Sequence, residues 1–293
     1  MMSDPEISFI TATYNCGRFI RRCHWSLCQQ TLADGEWVVV DDGSTDDTAA
    51  VIAALNDPRI RYFRSAQTRG PGAARNCAMQ QARASWLVIQ DMDDFSLPTR
   101  LQQARTARDQ GYDFMCSYMA LIDGEYAFKG LRGWQTALYP FSFPHASLCG
   151  QAELMRRIGY PEYRRGEDQT MVLHLANNHR GLHLPEPLYV YHENASVSAG
   201  KAMLGHFRMA CQIGDLAHRG VLRPGFEVYR SLVLSLVKMS LLSVACLLGP
   251  KFYQMTLKRR EKLRVGGSEL LNPGQREFLL HVATKFPLTG GAR

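Results

Sequence analysis

The chain has 293 residues, of which 46% are hydrophobic and 21% are charged, and it contains no internal repeat or low-complexity segment. These values are typical of a globular protein and leave room for a large core, in one α/β domain or in a domain with a smaller appendage. The net charge of +7 favours anionic partners such as nucleotides, acidic lipid or nucleic acid. The polar residues before Ile7 predict that the chain has no signal peptide.

Eight cysteines are scattered along the chain without a C-x-x-C pair or the grouping of a zinc site. Most of them lie in apolar stretches of sequence. We therefore expect them to be reduced core residues of a cytoplasmic protein. Their positions are 16, 23, 28, 77, 116, 149, 211 and 246.

Residues 7–94 alternate between short apolar runs and stripes with helical spacing. We predict strands at 7–15, 37–40, 59–63 and 86–89 and helices at 17–30, 45–55 and 73–83; the first strand runs into a polar turn. Ser44 or Thr45 is expected to cap the second helix, with Asp46 and Asp47 in its favourable first turn. The order β-α-β-α-β-α-β predicts a parallel sheet with helices on both faces.

The fourth predicted strand, Trp86–Ile89, is followed at once by the carboxylates Asp91, Asp93 and Asp94. Open α/β sheets bind ligands at the C-terminal ends of their strands. Crowded anions are costly without a cation, so the cluster favours Mg²⁺ or Mn²⁺ bound together with a phosphate-bearing substrate. The same residues could form a solvated loop that caps the helix after Pro98, and the triplet alone does not decide between the two.

The glycine-rich phosphate loops of common nucleotide-binding proteins are missing. No G-x-G-x-x-G or G-x-x-x-x-G-K motif follows a predicted strand. A nucleotide at this edge would therefore be held by strand-end carboxylates and a metal ion. A nucleotidyltransferase would need a glycine-rich loop near the first strand, where residues 11–18 contain only Gly17.

Four motifs resemble, in order and spacing, those of the inverting glycosyltransferases of family 2. They are residues 7–15, 38–46, 72–76 and 90–94, within a resemblance that covers roughly residues 7–195. It implies the GT-A fold, a Rossmann-like, mostly parallel α/β sheet flanked by helices. It also implies transfer of a sugar from a nucleotide-sugar donor, with UDP-sugars favoured, to a hydroxyl of a glycan or lipid-linked acceptor in surface polysaccharide or lipopolysaccharide synthesis.

The resemblance implies roles for residues on the donor side. Thr13 and Tyr14 match positions that line the base and ribose pocket. Asp42, with Asp41 beside it, matches the carboxylate that hydrogen-bonds the base, and Arg75 matches a basic residue close to the nucleotide. Each has an ordinary alternative when taken alone: a turn residue for Asp42, an aromatic at the core rim for Tyr14 and a solvated helix residue for Arg75.

The acidic cluster resembles the family's DXD metal motif. Asp91-Met92-Asp93 matches the motif itself, and Asp94 is the adjacent acid. The resemblance implies an Mn²⁺ or Mg²⁺ site in which Asp93 is the favoured direct ligand. Asp91 is also expected near the nucleotide, and the ranking among the three acids stays open.

On the acceptor side, residues 113–140 predict a strand at 114–122 and a surface loop. Residues 144–159 resemble the family's acceptor segment, in which His145 could face the acceptor or be structural. An inverting transfer needs one base to take the proton of the acceptor hydroxyl. The resemblance assigns this role to Asp168, with Glu167 in support; the alternative is that Asp168 only caps the helix predicted at 170–176.

His192 lies in a segment, residues 188–198, that resembles the family's Tyr-Arg-x-His…Ser-Val-Ser ending. The resemblance implies that this imidazole reaches towards the metal or the diphosphate. Imidazole suits Mn²⁺ better than Mg²⁺, so a His192 ligand would favour manganese.

Beyond about residue 199 the family pattern ends. Residues 228–248 are strongly apolar but contain Arg230 and Lys238, which argues against a membrane-spanning helix. Basic residues follow to position 264. This predicts a peripheral helix on the inner face of the plasma membrane, or one packed on the catalytic domain or in a homodimer. No aromatic platform accompanies the basic stretch, so we expect no nucleic-acid partner.

We therefore divide the chain into a GT-A catalytic domain, residues 1–198, and a helical C-terminal region, residues 199–293. The catalytic domain has a donor half, 7–112, and an acceptor half, 113–198. Two other functions remain open: a catalytically silent module that binds sugar nucleotides, which intact Asp93 and Asp168 disfavour, and a membrane-surface scaffold, which leaves the acidic motifs unexplained.

Overall fold

The computed structural model describes residues 5–32, 35–133, 143–161, 167–193 and 271–287, with short stretches between 207 and 240. The strands are β1 (Ile7–Thr13), β2 (Gly35–Asp41), β3 (Ile60–Arg64), β4 (Trp86–Ile89), β5 (Phe95–Ser96), β6 (Phe114–Ile122), β7 (Phe128–Arg132), β8 (Cys149–Gln151) and β9 (Gly181–His192). The helices are α1 (Gly17–Cys28), α2 (Thr48–Ala54), α3 (Pro71–Gln81), α4 (Arg100–Asp109), α5 (Ala152–Ile158), α6 (Glu167–Asn178) and α7 (Pro273–Lys285).

The first four strands form a parallel sheet in the order β3-β2-β1-β4, which confirms the predicted alternation. Their apolar runs are buried on both faces. Ile10 and Val38 belong to a cluster with residues of α3 and α5, whereas Phe9 and Trp37 belong to one with residues of α1 and α4. Because the strands are parallel, their C-terminal ends meet at one edge of the sheet, which we call the acidic edge.

Beyond β4 the sheet becomes mixed and continues as β8-β6-β9-β5, with β7 paired to β6. Strand β8 is antiparallel to both β4 and β6, and β6 runs parallel to β9. Strand 114–122 is confirmed. The expectation that only a surface loop follows it was wrong, because residues 128–132 form β7, which pairs antiparallel to β6.

Two helix starts differ from the prediction by three residues. Neither Ser44 nor Thr45 caps α2, which begins at Thr48, because the Ser44 hydroxyl accepts a hydrogen bond from the Asn15 N–H instead. The Asp46 carboxylate accepts from the Thr48 N–H at 3.0 Å. Helix α6 begins earlier than predicted, so that Glu167 and Asp168 lie in its first turn.

The C-terminal helix α7 packs against the catalytic sheet. Asn272 and Gln275 form a capping box at its start. Phe278 belongs to a buried cluster with residues of β5, β6 and β9 and stacks on Trp25 of α1. Most of residues 228–264 lies outside the described residues. Among those described, no helix is long and apolar enough to cross a membrane.

The cysteines only partly follow the expectation of a reduced core. Cys23, Cys116 and Cys149 are free and buried, but Cys28, Cys77 and Cys211 are exposed. Cys28 is the last residue of α1 and is exposed, although its neighbour Leu27 is buried. Position 246 lies outside the described residues.

Candidate active site

Strands β1 and β2 end side by side at the acidic edge, with Thr13 opposite Asp41. Asp41 is fully buried, and its carboxylate accepts hydrogen bonds from the Ser44 N–H at 2.7 Å and the Tyr62 hydroxyl at 2.6 Å. This carboxylate therefore shapes the turn after β2.

The Asp42 carboxylate holds the loop that leads into α3. Its two oxygens accept hydrogen bonds from the Arg69 N–H at 2.9 Å and the Gly70 N–H at 2.8 Å. Gly70 has φ 97°, a conformation that glycine adopts without a steric penalty. Thr13 is buried, whereas the Tyr14 side chain is 50% exposed and free to contact a ligand.

Asn15 was not singled out from the sequence. It has φ 52°, and its side-chain oxygen accepts hydrogen bonds from the Thr45 N–H at 2.8 Å and the Asp46 N–H at 3.3 Å. It thus ties the turn after β1 to the turn after β2. The sequence does contain a signal for this turn: Asn15 follows Tyr14 at the end of a predicted strand, and Asn tolerates a left-handed turn conformation.

Arg75 on α3 is mostly buried and bridges two carboxylates. Its Nη1 donates to Glu167 Oε1 and its Nη2 to Asp91 Oδ1, both at 2.9 Å. The side chain is 11% exposed, and the guanidinium lies 5.7 Å from the centre of the Tyr160 ring. One side chain thereby joins α3, the end of β4 and α6. Burial opposes the charged form of Asp91, but Arg75, together with His145 and Arg100, lowers the pKa of that carboxyl.

Gly72 and Asn76 bring α3 close to the turn after α5. A Cβ atom on Gly72 would lie 3.1 Å from both Glu167 Cγ and the Pro161 carbonyl oxygen, so a larger residue would crowd this close approach of the helix. The Asn76 side chain donates to the Tyr160 carbonyl at 2.7 Å and accepts from the Tyr160 N–H at 2.8 Å. These positioning contacts were not predicted, because the partners are 84 residues apart.

His145 is buried beside this group. Its Nε2 lies 2.7 Å from the Tyr160 hydroxyl. Burial, followed by the charge of Arg75, lowers the pKa of His145 to about 3, so the imidazole is neutral near pH 7. The structure therefore places His145 next to Arg75 and Tyr160.

Glu167 and Asp168 are adjacent but have different surroundings. Glu167 is engaged by Arg75, whereas the Asp168 carboxylate accepts from the Gln169 N–H at 3.0 Å. Burial, then the neighbouring Glu167 charge, raises the pKa of Asp168, although Arg75 opposes the shift. A carboxylate with a raised pKa is better suited to accept a proton near neutral pH.

Asp94 fixes the end of β9 to the acidic cluster. It is 1% exposed, and its oxygens accept from the Tyr189 hydroxyl at 2.8 Å and the His192 N–H at 2.7 Å. Burial, then the Asp93 charge, raises its pKa well above the usual range. Both oxygens of Asp94 are thus engaged by the protein.

Asp93 and His192 adjoin this anchor, Asp93 in the sequence and His192 through its main-chain N–H. The Asp93 main-chain oxygen accepts a hydrogen bond from Arg22, while burial, then Asp91, raises the pKa of its carboxyl. Both ring nitrogens of His192 are buried, and neither meets hydrogen-bond geometry with a partner among the described residues. Burial, then the charge of Arg22, lowers the pKa of His192, and the charge of Asp123 opposes the shift. A neutral imidazole with orphaned nitrogens is a candidate ligand for a divalent cation.

Arg22 was missed from the sequence. Although charged, it is 3% exposed, and its guanidinium lies between 5.2 and 5.6 Å from the ring centres of Phe19, Phe95 and Tyr126. It also donates to the Tyr126 hydroxyl at 3.1 Å. An arginine on a helix is expected to be solvated, and none of these partners except Phe19 is its neighbour in sequence.

The sequence profile named Glycosyl transferase family 2 matches residues 8–164, which is more than half of the chain. Succinoglycan biosynthesis protein ExoO from Rhizobium meliloti (strain 1021) is 41% identical over 99 residues, which are 34% of this chain and 28% of ExoO. The chain thus spans less than a third of that relative.

A further relative and a solved structure match over most of their length. An Escherichia coli protein, UDP-Glc:alpha-D-GlcNAc-diphosphoundecaprenol beta-1,3-glucosyltransferase WfaP, is 25% identical over 226 residues, which are 74% of this chain and 90% of WfaP. Mannosyltransferase PcManGT from Pyrobaculum calidifontis, solved with GDP-Man and Mn²⁺, superposes with a TM-score of 0.63 at 18% identity. The superposition covers 97% of this chain and 88% of PcManGT, and it confirms the glycosyltransferase fold predicted from the motifs.

Proposed function

The chain belongs to glycosyl transferase family 2, and from this we propose that it transfers a sugar from a nucleotide-sugar donor to a hydroxyl of a glycan or glycolipid in surface polysaccharide synthesis. The proposed reaction is metal-dependent and inverts the anomeric carbon. One observation carries the proposal: a single edge of the sheet brings the Asp91–Asp94 cluster, Arg75 and the Glu167–Asp168 pair together. We assign residues 7–112 to the donor half and 113–198 to the acceptor half.

Asp168 is the proposed base. In a single displacement, its carboxylate takes the proton of the acceptor hydroxyl while that oxygen attacks the anomeric carbon. The raised pKa of Asp168 supports this role. The ion pair between Arg75 and Glu167 supports it as well, because the Arg75 guanidinium donates to Glu167 and leaves Asp168 as the acid that can take up a proton. Glu167 is proposed to position Arg75.

The metal site is proposed to be formed by Asp93 and His192, with Asp91 and Asp94 at its border. The carboxylate–imidazole pair favours Mn²⁺, the ion bound to PcManGT. When bound, the cation would offset the charge that develops on the departing diphosphate. Asp94 would hold His192 in place through its main-chain N–H.

The nucleotide is proposed to lie over the ends of β1 and β2. The exposed Tyr14 ring and Thr13 would contact the base and ribose, and Asp42 would position the adjoining loop at Gly70. We favour a UDP-sugar donor because the name of WfaP specifies UDP-glucose. GDP-Man, the ligand of PcManGT, is the alternative donor type. The Arg75 guanidinium, buried between Asp91 and Glu167, is proposed to act near the diphosphate.

A lipid-linked acceptor and a peripheral membrane contact complete the proposal. Tyr229, Val233, Leu236 and Val237 recur at helical spacing and are between 48 and 62% exposed. Such an apolar face suits insertion at a membrane surface. The name of WfaP specifies a diphosphoundecaprenol acceptor, which is lipid-linked. His145 would then face the acceptor side from behind Tyr160.

The test compares Asp168→Asn with Asp109→Asn, an exposed acid at the end of α4. Donor binding is measured by calorimetry with UDP and GDP in the presence of Mn²⁺, and transfer is measured by NMR, which also reports the anomeric configuration of the product. We expect Asp168→Asn to abolish transfer with nearly unchanged donor affinity, and Asp109→Asn to change neither. Loss of donor affinity as large as the loss of transfer would contradict the base role. Absence of binding by either diphosphate would favour the scaffold alternative.

A further inference from the structure

A second group of titratable side chains lies at the opposite edge of the sheet, and we call it the His24–Cys28 cluster. His24 and Cys28 are one helical turn apart at the end of α1. Asp57 and Arg59 face them from the turn before β3. The ligand atoms of His24, Cys28 and Asp57 all lie within 4.8 Å of one another. Since α1 begins at the acidic edge, where the Gly17 N–H donates to Asp46, its last residue lies at the amino ends of the strands.

The Cys28 sulfur is in contact with two hydrogen-bond donors. Arg59 Nη2 lies 3.1 Å from Sγ, and a guanidinium has donors only. His24 Nε2 lies 3.4 Å from Sγ and also 2.8 Å from Asp57 Oδ2. A nitrogen this close to a carboxylate oxygen carries a proton, because two lone pairs would repel. Neither neighbour can therefore accept a hydrogen bond from the Cys28 thiol, which favours the thiolate.

The donors are held in place by the rest of the cluster. Asp57 accepts from Arg59 through Nε at 3.0 Å and Nη2 at 2.7 Å. The His24 ring stacks on Trp37 at a centroid distance of 6.0 Å. Cys28 itself is exposed, so a reagent can reach it. The hydrogen bond with His24 lowers the pKa of Cys28, in agreement with the geometry.

We propose that Cys28 is a nucleophilic thiolate that is modified by small disulfides such as oxidised glutathione. The thiolate attacks one sulfur of the disulfide, a new S–S bond forms between Cys28 and that sulfur, and the original S–S bond breaks. The leaving thiolate takes a proton from solvent, so the disulfide is the only oxidant that the step needs. A bound zinc ion is the competing interpretation of the three ligand atoms; Arg59 argues against it because its guanidinium already donates to Cys28 and Asp57.

The test treats the full chain with oxidised glutathione near pH 7 and follows each cysteine by peptide mass spectrometry. Cys77 on α3 is also exposed and serves as the control within the same molecule. Each tenfold gain in the thiolate fraction is accompanied by an about threefold loss of nucleophilicity, so the net gain in rate is about threefold. We expect Cys28 to react at least about threefold faster than Cys77. Arg59→Gln should remove most of this advantage, and Arg108→Gln, which removes a guanidinium on α4, should not.

Three outcomes would overturn the proposal. The first is equal reactivity of Cys28 and Cys77 in the folded chain. The second is an advantage of Cys28 that survives in urea, because the local sequence and not the folded cluster would then cause it. The third is a Cys28 that reacts only after EDTA has been added, because this would mean that a metal ion occupies the cluster in the untreated protein. Circular dichroism of Arg59→Gln verifies that the variant is folded when its rate is measured.

Discussion

Replacing Arg75 by glutamine tests whether one buried guanidinium holds the two halves of the candidate site together. The substitution removes the cation that donates to Asp91 and Glu167, both at 2.9 Å. The side chains of Arg75 and Glu167 are 11% and 8% exposed and that of Asp91 is 23% exposed, so solvent screens the pair with Glu167 little and the pair with Asp91 more. Breaking a buried ion pair by removing one partner costs about 3–5 kcal/mol, because the other charge remains buried without compensation.

The pH dependence gives this prediction a second readout. Arg75 holds the pKa of Asp91 below its usual range against the effect of burial. The resulting stability is present above the unfolded-state pKa of about 3.9 and is lost as the pH falls through the lower folded-state value. Without Arg75, burial would raise the pKa of Asp91, and protonation would relieve the buried charge. We therefore expect the loss at pH 7 to exceed the loss near pH 4.

The assay is urea unfolding followed by circular dichroism, with the midpoint and slope fitted at both pH values. The control is Arg108→Gln, which breaks ion pairs with Glu6 and Asp109 at the surface. Such exposed pairs contribute about 0–1 kcal/mol. A loss for Arg75→Gln no larger than that of the control, or one of the same size at both pH values, would refute the reasoning.

Three other predictions follow from the site. Asn76→Ala removes two hydrogen bonds to the Tyr160 main chain and should lower the free energy of unfolding by about 2–3 kcal/mol; an unchanged urea midpoint would contradict this. His192→Ala should weaken Mn²⁺ binding by at least about tenfold in calorimetry, with little loss of stability because its ring nitrogens have no partner among the described residues. Because Asp168 must be charged to act as a base and burial raises its pKa, kcat/KM should fall as the pH drops through that raised value; a flat acidic limb in a pH–rate profile would argue against the role.

The sequence was informative where a local pattern determines the structure. The apolar runs of β1, β2 and β4 predict strands buried on both faces, and the motifs at their ends predict which carboxylates meet. Strand β8 was not predicted, because a three-residue strand pairs only when β4 and β6 are already beside it. Strand β7 was taken for a loop for a similar reason, because its pairing with β6 cannot be read from its own five residues.

The candidate site shows the same division between residue identity and residue contacts. The motifs identify Arg75, Asp94 and Asp168 as residues of interest. They do not reveal that Arg75 is buried or that Asp94 binds the main chain of His192, since those partners are 16 to 98 residues away. Cys28 illustrates the opposite error: an apolar stretch predicted a buried thiol, whereas the fold leaves it exposed beside Arg59.

The bond between Asp94 and His192 also bears on the order of folding. The parallel unit from β1 to β4 contains every residue that its own strand pairing needs, so it can form early from nearby segments of chain. Asp94, by contrast, finds its partners Tyr189 and His192 only 95 and 98 residues later. Closing a loop of that length is slow relative to local pairing. During synthesis from the N-terminus, the carboxylate cluster would thus remain without its structural clamp until β9 has left the ribosome.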